Sequence, residues 1–290
     1  MKTIGFIGVG IMGKSMVRNL MKAGFEVRIY ARNKEKVRDV VAEGALFFET
    51  IRECVKGCDA VITIVGYPKD VEDVYFGEGR IIESAKPGAY LIDMTTTSPQ
   101  LDKKIADTAA PLGFHVLDAP VTGGDRGAKA GTLSILVGGE ESDCEACMDI
   151  FRAMGSNITY YGKSGAGQHA KLANQIMQAS IMSGVCEALA YVNEQGLDPE
   201  VFMNGAASGA GQNALLESYG RRICKGDMEP GFFVDFFIKD MKLAYDSAKL
   251  GELELDILSK VIENYQQLSD EGLGRLGMQA LIRHYKKEDK

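Results

Sequence analysis

The first part of the chain alternates short aliphatic runs with segments whose apolar positions recur at helical spacing. The runs that predict strands are Thr3–Ile7, Val27–Tyr30, Ala60–Val65, Tyr90–Met94, His115–Leu117 and Leu133–Val137. Helical spacing occurs between them at Ile11–Ala23, at Asn33–Ala42 and from Ser98-Pro99 to about Leu112. This alternation predicts a mostly parallel α/β sheet, doubly wound and covered by helices on both faces.

The pattern changes after Tyr161, and turn residues become scarcer. Of the 34 glycines, 22 precede residue 168, and the stretch from about Gln168 to Gln195 has one glycine and no proline. That stretch predicts one long interdomain helix of roughly 40 Å at 1.5 Å per residue. Further helices are predicted at Pro199–Ala207, Asn213–Ile223, Asp240–Leu250, Leu255–Leu268 and Met278–Lys286. The second domain is therefore expected to be all-helical.

Composition and charge exclude several classes of protein. Apolar residues make up 46% and charged residues 25%, as in ordinary globular domains, and the formal net charge of −7 disfavours binding to nucleic acid. No apolar run reaches the length of a transmembrane helix, and the N-terminus turns glycine-rich too early for a secretory signal. We expect a cytoplasmic protein with neither membrane nor nucleic-acid partners.

The six cysteines are too few for a disulfide scaffold, and a reducing compartment would leave them as small buried hydrophobes. Cys144-x-x-Cys147 has no second cysteine pair or histidine at ligand spacing. It lies within a Ser142-Asp143-Cys144-Glu145 pattern that is typical of a capping box at the start of a helix. We therefore predict no metal site.

A glycine-rich motif, Gly8-Val9-Gly10-Ile11-Met12-Gly13, follows the first predicted strand and opens the first predicted helix. Gly8 permits a tight turn, Gly10 admits a pyrophosphate close to the backbone, and Gly13 allows strand and helix to pack closely. The helix N-terminus supplies N–H donors to the phosphates. The motif predicts a dinucleotide site formed by Gly8, Gly10, Ile11, Met12 and Gly13.

The end of the second strand bears on the choice of cofactor. NAD-binding sites usually place an acid there for the ribose 2′-hydroxyl, whereas this chain has Ala31 followed by Arg32, Asn33 and Lys34. The missing acid and the positive charges favour a 2′-phosphate. We predict NADP, with NAD left as a possibility, and place Ala31, Arg32 and Asn33 in the site.

Two further segments carry candidate chemistry. Asp118-Ala119-Pro120-Val121-Thr122-Gly123-Gly124 follows a predicted strand, and its amides with the Thr122 hydroxyl are suited to a substrate carboxylate, although a plain strand turn would look the same. In the long helix, Lys171, Asn174, Gln175 and Gln178 form one polar stripe on an otherwise apolar segment. A lysine beside amides is suited to general acid and base chemistry.

These motifs together resemble the β-hydroxyacid dehydrogenases, relatives of 6-phosphogluconate dehydrogenase that include 3-hydroxyisobutyrate dehydrogenase and tartronate semialdehyde reductase. The resemblance covers essentially the whole chain. The segments that carry it are Gly8–Gly13, Asp93–Pro99, Asp118–Gly124, Gly165–Gln175 and Phe232–Ala244, the last with Lys239-Asp240 and Leu243-Ala244.

The resemblance implies a Rossmann domain over residues 1–162 and an all-helical substrate and oligomerisation domain over residues 163–290. Lys171 matches the family's catalytic lysine, with Asn174 and Gln175 beside it. The family's substrate-binding segment corresponds to Thr122, Gly123 and Gly124, where serine is the commoner hydroxyl residue. Val65 and Thr96 match positions that contact the cofactor, and Lys239 matches a lysine near both substrate and nicotinamide.

Two positions bear on the reaction. Gln175 stands where this family usually has asparagine, in a form similar to that of tartronate semialdehyde reductases, which convert 2-hydroxy-3-oxopropionate to glycerate. Gln178 stands where the decarboxylating relatives have a glutamate that can protonate an enol, and an amide cannot do so. The resemblance implies hydride transfer without decarboxylation between a nicotinamide and a small β-hydroxyacid or acid semialdehyde.

The sequence is also compatible with other activities. Within the family, the chain could instead be a 3-hydroxyisobutyrate dehydrogenase or reduce succinic semialdehyde or glyoxylate. Outside it, the rivals are a non-catalytic NADP-binding protein and an imine reductase, the latter expected to carry Asp or Tyr in place of Lys171. The many apolar helices of the second domain suit burial against another subunit, so we expect a homodimer or homotetramer.

Overall fold

The strands of the first part of the chain form a single sheet. In the computed structural model, which describes residues 1–285, they are β1 Thr3–Ile7, β2 Glu26–Tyr30, β3 Leu46–Phe48, β4 Ala60–Thr63, β5 Tyr90–Asp93, β6 His115–Asp118, β7 Val121–Thr122, β8 Leu133–Gly139 and β9 Gly155–Gly162. Their order is β3-β2-β1-β4-β5-β6-β8-β7, with β9 beside β8. The first six strands are parallel in the order of doubly wound dinucleotide-binding domains. β8 runs antiparallel to β6 and β7 and parallel to β9.

Helices cover both faces of this sheet. They are α1 Ile11–Lys22, α2 Arg38–Ala42, α3 Ile51–Val55, α4 Pro68–Tyr75, α5 Ile81–Ser84, α6 Pro99–Ala109, α7 Gly124–Ala130, α8 Glu141–Ala146 and α9 Met148–Met154. One hydrophobic core packs around Phe6 and Met16, and a second around Val61 and Tyr75. Because both faces are covered, the central strands are mostly apolar, and every residue of β4 is buried.

The second part of the chain is helical. Its helices are α10 Ala166–Glu194, α11 Pro199–Ala206, α12 Arg221–Cys224, α13 Val234–Leu250 and α14 Asp256–Leu268. They share a separate core that includes Met182, Phe237 and Tyr265. The chain divides into two compact units within α10, after Lys171. No described helix is long and apolar enough to cross a membrane.

The predicted fold class is confirmed, and each of the six predicted strands is present within two residues of its expected ends. The long helix was expected at about 168–195 and spans Ala166–Glu194. Three strands were missed. β3 and β7 have only three and two residues, and β9 is mostly polar and half-exposed, so none shows a hydrophobic period long enough to read.

Five local predictions were wrong in detail. The helix expected at Asp240–Leu250 begins six residues earlier, as α13 Val234–Leu250. The helix expected at Asn33–Ala42 begins as a 3₁₀ turn, Lys34–Val37, which the Asn33 side chain caps by accepting from the Glu35 N–H. The segment expected as Asn213–Ile223 contains a π-helical turn, Leu216–Gly220, before α12.

The last predicted helix is a 3₁₀ segment, Met278–Tyr285, and its expected end at Lys286 lies outside the described residues. The helix expected to begin at a Ser142 capping box begins at Glu141, with no side-chain cap. The domain division at residue 162 coincides with the end of β9 and stays a prediction, as does the expected end of the second domain at residue 290, beyond the described chain.

Candidate active site

The three glycines of the N-terminal motif have different surroundings. A Cβ on Gly8, whose φ is +101°, would lie 2.0 Å from the Ile64 carbonyl oxygen, and one on Gly13 would lie 2.2 Å from the Gly8 carbonyl oxygen. Both positions therefore require glycine for packing within the protein. A Cβ on Gly10 would meet nothing within 4 Å. The space above Gly10 is open, which fits a cofactor phosphate approaching the backbone.

The start of α1 is suited to phosphate. Gly10 is its N-cap, no side chain caps the helix, and its first turn has no acidic residue. Its first N–H groups therefore lack the side-chain acceptors that usually satisfy them. Ile11 is 62% exposed beside them, and Met12 is half-buried. The residues present fit the pyrophosphate of a dinucleotide.

Positive charge lies at the end of β2, where a ribose is expected. The Arg32 side chain is 84% exposed, and its Nη1 lies 3.5 Å from Asp70 Oδ1. Lys34 Nζ lies 3.5 Å from Glu49 Oε1. The Asn33 side chain caps the turn that follows. Ala31 is half-buried and uncharged. The ion pairs of Arg32 and Lys34 are long and exposed, which makes them weak, and Lys34 Nζ also lies over the Phe47 ring, 5.0 Å from its centroid.

Val65 and the Thr95–Thr97 segment lie beyond the carboxyl ends of β4 and β5. The Val65 N–H donates to Thr95 Oγ1 at 3.0 Å, which joins the two connections. Thr95 and Thr97 are buried, and Thr96 between them is half-buried. In parallel sheets, ligands bind at this edge. The two predicted cofactor positions are thus on adjacent connections.

The start of α10 is fastened to the sheet by a carboxylate. Asp118 Oδ1 accepts from the Gly165 N–H at 2.7 Å, and Asp118 Oδ2 accepts from the Gln168 N–H at 2.9 Å. Burial raises the pKa of Asp118, while these N–H donors act in the opposite direction. A Cβ on Gly167 would lie 2.3 Å from the Leu136 carbonyl oxygen, so the helix rests directly on the sheet backbone. The start of α10 therefore has a defined position.

Lys171 stands one helical turn after Gln168 and is only 6% exposed. Lysine is almost never this buried unless it is paired or functional. Lys171 also interacts with a neighbouring group of the protein. A buried lysine on a helix whose start is held by Asp118 has much less freedom than a surface lysine.

Thr122 ends β7, and Gly123 and Gly124 follow it with φ of +123° and +61°. Left-handed backbone at two successive residues is easily adopted only by glycine. The Thr122 side chain is half-buried, and its register partner across the sheet is Ser134. The sharp turn predicted from the glycines is therefore present.

A hydrogen-bonded polar cluster lies in the second unit. Asn174 Nδ2 donates to Gln175 Oε1 at 2.9 Å, and Gln175 Nε2 donates to Asp240 Oδ2 at 2.7 Å. Lys239 Nζ forms an ion pair with Asp240 Oδ1 at 2.9 Å. The structure thus brings Asn174, Gln175 and Lys239 together through Asp240. The sequence did not predict that Asp240 joins these residues. Its position next to Lys239 in the sequence was the one feature that could have indicated it.

The predicted residues are thus divided between the units. The glycine motif, the ribose residues, Val65, Thr96, Thr122–Gly124 and Lys171 belong to the first unit, and Asn174, Gln175 and Lys239 to the second. Within residues 1–285, no group of three or more His, Cys, Asp or Glu side chains is arranged to hold a metal.

Comparison with known proteins agrees with this geometry. Residues 3–162 match the profile of the NAD binding domain of 6-phosphogluconate dehydrogenase. Residues 165–285 match the profile described as NAD-binding of NADP-dependent 3-hydroxyisobutyrate dehydrogenase. Fold and site therefore define a nicotinamide-dependent oxidoreductase.

Three similar proteins narrow this class. An uncharacterized oxidoreductase of Bacillus subtilis (strain 168), YkwC, is 48% identical over 282 residues, covering 97% of this chain and 98% of that protein. The 2-hydroxy-3-oxopropionate reductase of Escherichia coli (strain K12) is 36% identical over 279 residues, with 96% and 95% covered. A Mycobacterium tuberculosis 3-hydroxyisobutyrate dehydrogenase structure with L-serine has a TM-score of 0.90 at 28% identity, with 99% and 100% covered. The chain belongs to the 3-hydroxyisobutyrate dehydrogenase family of NAD(P)-dependent β-hydroxyacid dehydrogenases.

Proposed function

We propose that this protein is an NADPH-dependent reductase of a small acid semialdehyde, with 2-hydroxy-3-oxopropionate as the first candidate and glycerate as its product. Lys171 is the general acid in this direction and the general base in reverse. The observation that carries the proposal is the burial of Lys171 to 6% exposure on a helix whose start is fastened by the Asp118 carboxylate. General acid catalysis requires such positioning, and a solvated surface lysine lacks it.

The cofactor is held by the open glycine turn and by the connections after β2, β4 and β5. Gly10, Ile11 and Met12 line the phosphate position, and Val65 and Thr96 lie on the nicotinamide side. When bound, the nicotinamide supplies the hydride. Exposed Arg32 would bind a 2′-phosphate, since its ion pair with Asp70 is long enough to yield to a closer anion. NADPH is therefore the proposed cofactor, and NADH the alternative.

The substrate's carboxylate is assigned to Thr122, Gly123 and Gly124, where a hydroxyl and left-handed backbone leave donors for an anion. Lys239 adds positive charge for the substrate. Lys171 delivers its proton to the carbonyl oxygen as negative charge develops there. Asn174 and Gln175, one turn further along α10, hold the polar environment of that lysine through their bonds to each other and to Asp240. Gln178 lacks an acidic proton, which agrees with reduction without decarboxylation.

The proposal is tested by following NADPH oxidation with 2-hydroxy-3-oxopropionate, methylmalonate semialdehyde, succinic semialdehyde, glyoxylate and a cyclic imine. Lys171→Ala should keep its affinity for NADPH and lose turnover by orders of magnitude. The matched control is Lys163→Ala, because Lys163 is 76% exposed just before α10 and forms its ion pair with Glu140 at the surface. Near-normal turnover in Lys171→Ala would refute the assigned role, and turnover of the imine alone would move the protein to another activity.

We also propose that the protein is a homodimer or homotetramer. Met177, Ile181 and Tyr191 of α10 are 59%, 37% and 65% exposed, and their spacing places them along one face of the helix. A row of large apolar side chains in water is typical of an interface with another chain. Light scattering on the purified protein measures the mass, and a monomer at micromolar concentration would contradict this proposal.

A further inference from the structure

Three aspartates with no assigned role in the chemistry are buried beneath the cofactor edge of the first unit. Asp93 ends β5, Asp102 lies in the first turn of α6, and Asp118 ends β6. They are 2%, 3% and 1% exposed. Asp118 accepts two N–H bonds from the start of α10, as described above. Asp93 and Asp102 have a different arrangement.

The carboxyl groups of Asp93 and Asp102 are close neighbours: Asp93 raises the pKa of Asp102, and Asp102 lowers the pKa of Asp93. Asp93 Oδ1 accepts from Thr63 Oγ1 at 2.6 Å and from the Thr95 N–H at 3.2 Å. Asp93 Oδ2 is buried and receives no hydrogen bond from an N–H or hydroxyl donor of the described chain. Asp102 Oδ2 accepts from Gln168 Nε2 at 2.7 Å. One oxygen of each acid is thus held by donors, and the second oxygen of Asp93 has none among the described residues.

An ionised carboxylate only accepts hydrogen bonds, so two of them cannot bond to each other without a proton. The other titratable groups that act on the pair are Tyr75 of α4 and Asp118 of β6, and both are acids. Neither would stabilise a second negative charge. Burial raises the pKa of Asp93 to about 6, and burial with repulsion from Asp93 and Asp118 raises that of Asp102 well above its usual value.

We propose that Asp93 and Asp102 share one buried proton, and that this proton ties the Thr95–Thr97 segment to the helix that carries Lys171. The two acids are positioning residues: Asp102 is the neutral partner that donates to Asp93, and Asp93 is the ionised partner.

Gln168 is the link between the pair and the site. Its Nε2 donates both to Asp102 Oδ2 and to the Thr95 carbonyl oxygen, at 2.7 Å each, and its Oε1 accepts from the Thr97 N–H at 3.1 Å. The Gln168 amide group thus makes its hydrogen bonds to Asp102 and to the segment that contains Thr96. Gln168 lies one helical turn before Lys171. Loss of the proton would leave two charges facing each other where these elements join.

Amide replacements test the proton directly. In Asp102→Asn, the amide oxygen still accepts from Gln168 and the new NH₂ donates to Asp93, so the hydrogen bonds are kept without the proton. In Asp93→Asn, the NH₂ donates to an ionised Asp102. In the double variant both oxygens are already occupied by their other donors, and two NH₂ groups face each other. Each single variant should therefore be close to wild type, and the double variant should be strongly impaired.

The pH dependence of unfolding supplies a readout that packing alone would not change. The raised folded-state pKa means that the native protein keeps a proton that the unfolded chain has lost, so stability falls as pH rises above about 4 until the folded pKa is passed. Asp102→Asn should remove the contribution of Asp102 to this slope, gaining about tenfold per pH unit in the folding equilibrium constant relative to wild type. The raised pKa of Asp93 keeps its own contribution up to about pH 6. The infrared band of a buried protonated carboxyl should also disappear in this variant.

The positioning effect is read from binding and kinetics, and it rests on the proposed function. Asp102→Ala should weaken NADPH binding and lower kcat at least tenfold, and Asp102→Asn should restore both. Parallel pH-stability curves for wild type and Asp102→Asn, or a double variant as stable as the singles, would overturn the shared proton. If the infrared and stability results hold while wild-type protein turns over no substrate, the proposed function fails and the proton stands.

Discussion

Gly10→Ala offers the sharpest separation of cofactor binding from folding. The backbone at Gly10 has φ −84° and ψ −157°, which alanine adopts, and its Cβ would meet nothing within 4 Å. Alanine lowers the conformational entropy of the unfolded chain, which stabilises the folded protein by about 0.4–1 kcal/mol. Alanine is also a poorer N-cap than glycine, so the two effects largely cancel. The free energy of unfolding should change by less than about 1 kcal/mol.

Binding should respond differently, because the added methyl group occupies the space through which a pyrophosphate approaches the start of α1. Loss of one charge-assisted hydrogen bond costs about 1.5–3 kcal/mol. The Kd for NADPH should therefore rise by about tenfold to a hundredfold. Fluorescence titration measures the affinity, and thermal unfolding without cofactor measures the stability.

Two matched glycine variants complete the experiment. Gly13→Ala places a Cβ 2.2 Å from a backbone oxygen and should destabilise the protein by about 1–3 kcal/mol, with Tm falling by about 2–4 °C per kcal/mol. Gly184→Ala, in open space on α10, should leave NADPH binding unchanged. Wild-type affinity in Gly10→Ala would show that the dinucleotide does not pass over Gly10, and a large fall in its Tm would refute the open-space argument.

Three further predictions concern the surface and the thiols. Arg32→Ser should raise KM for NADPH at least tenfold and leave KM for NADH nearly unchanged, and equal changes in both would contradict the assignment of the 2′-phosphate. Lys86 and two backbone N–H groups lower the pKa of Asp59, so its stabilising effect is present above about pH 4 and lost as pH falls through the folded pKa. Asp59→Asn should therefore flatten the acid side of the stability curve measured by urea unfolding, and an unaltered acid limb would argue against this pair. A thiol reagent should modify half-buried Cys224 well before the five buried cysteines, and mass spectrometry after partial labelling identifies the site.

Much of the first unit could be predicted because its signals are short-range. The runs that form β1, β4 and β5 are mostly apolar, and Gly8 and Gly13 occupy positions where the packing leaves no room for another residue. The long helix could also be predicted, because the stretch from Gln168 to Gln195 contains no proline and only one glycine. Where the pattern failed, at β3 and β7, the strands are too short to show a period.

The candidate site could be predicted only in part from the sequence. Lys171 stood out as a lysine in a polar stripe beside amides, but its burial could not be read from that stripe. The bonds of Gln175 to Asp240 and Asn174 could not be predicted from its place in the stripe. Which of several neighbouring polar groups a side chain selects depends on distances set by packing.

The order of elements, the open glycine turn and the missing acid after β2 are properties of neighbouring residues, so they could be recognised along the chain. The buried acids are not of this kind. Gln168 and Asp102 are 66 positions apart, and each alone resembles a solvated residue on a helix. Folding buries Gln168 and Asp102 together with Asp93, and desolvation raises the pKa of both acids. That environment exists only once the sheet and α10 have packed, which is why the tertiary structure alone decided it.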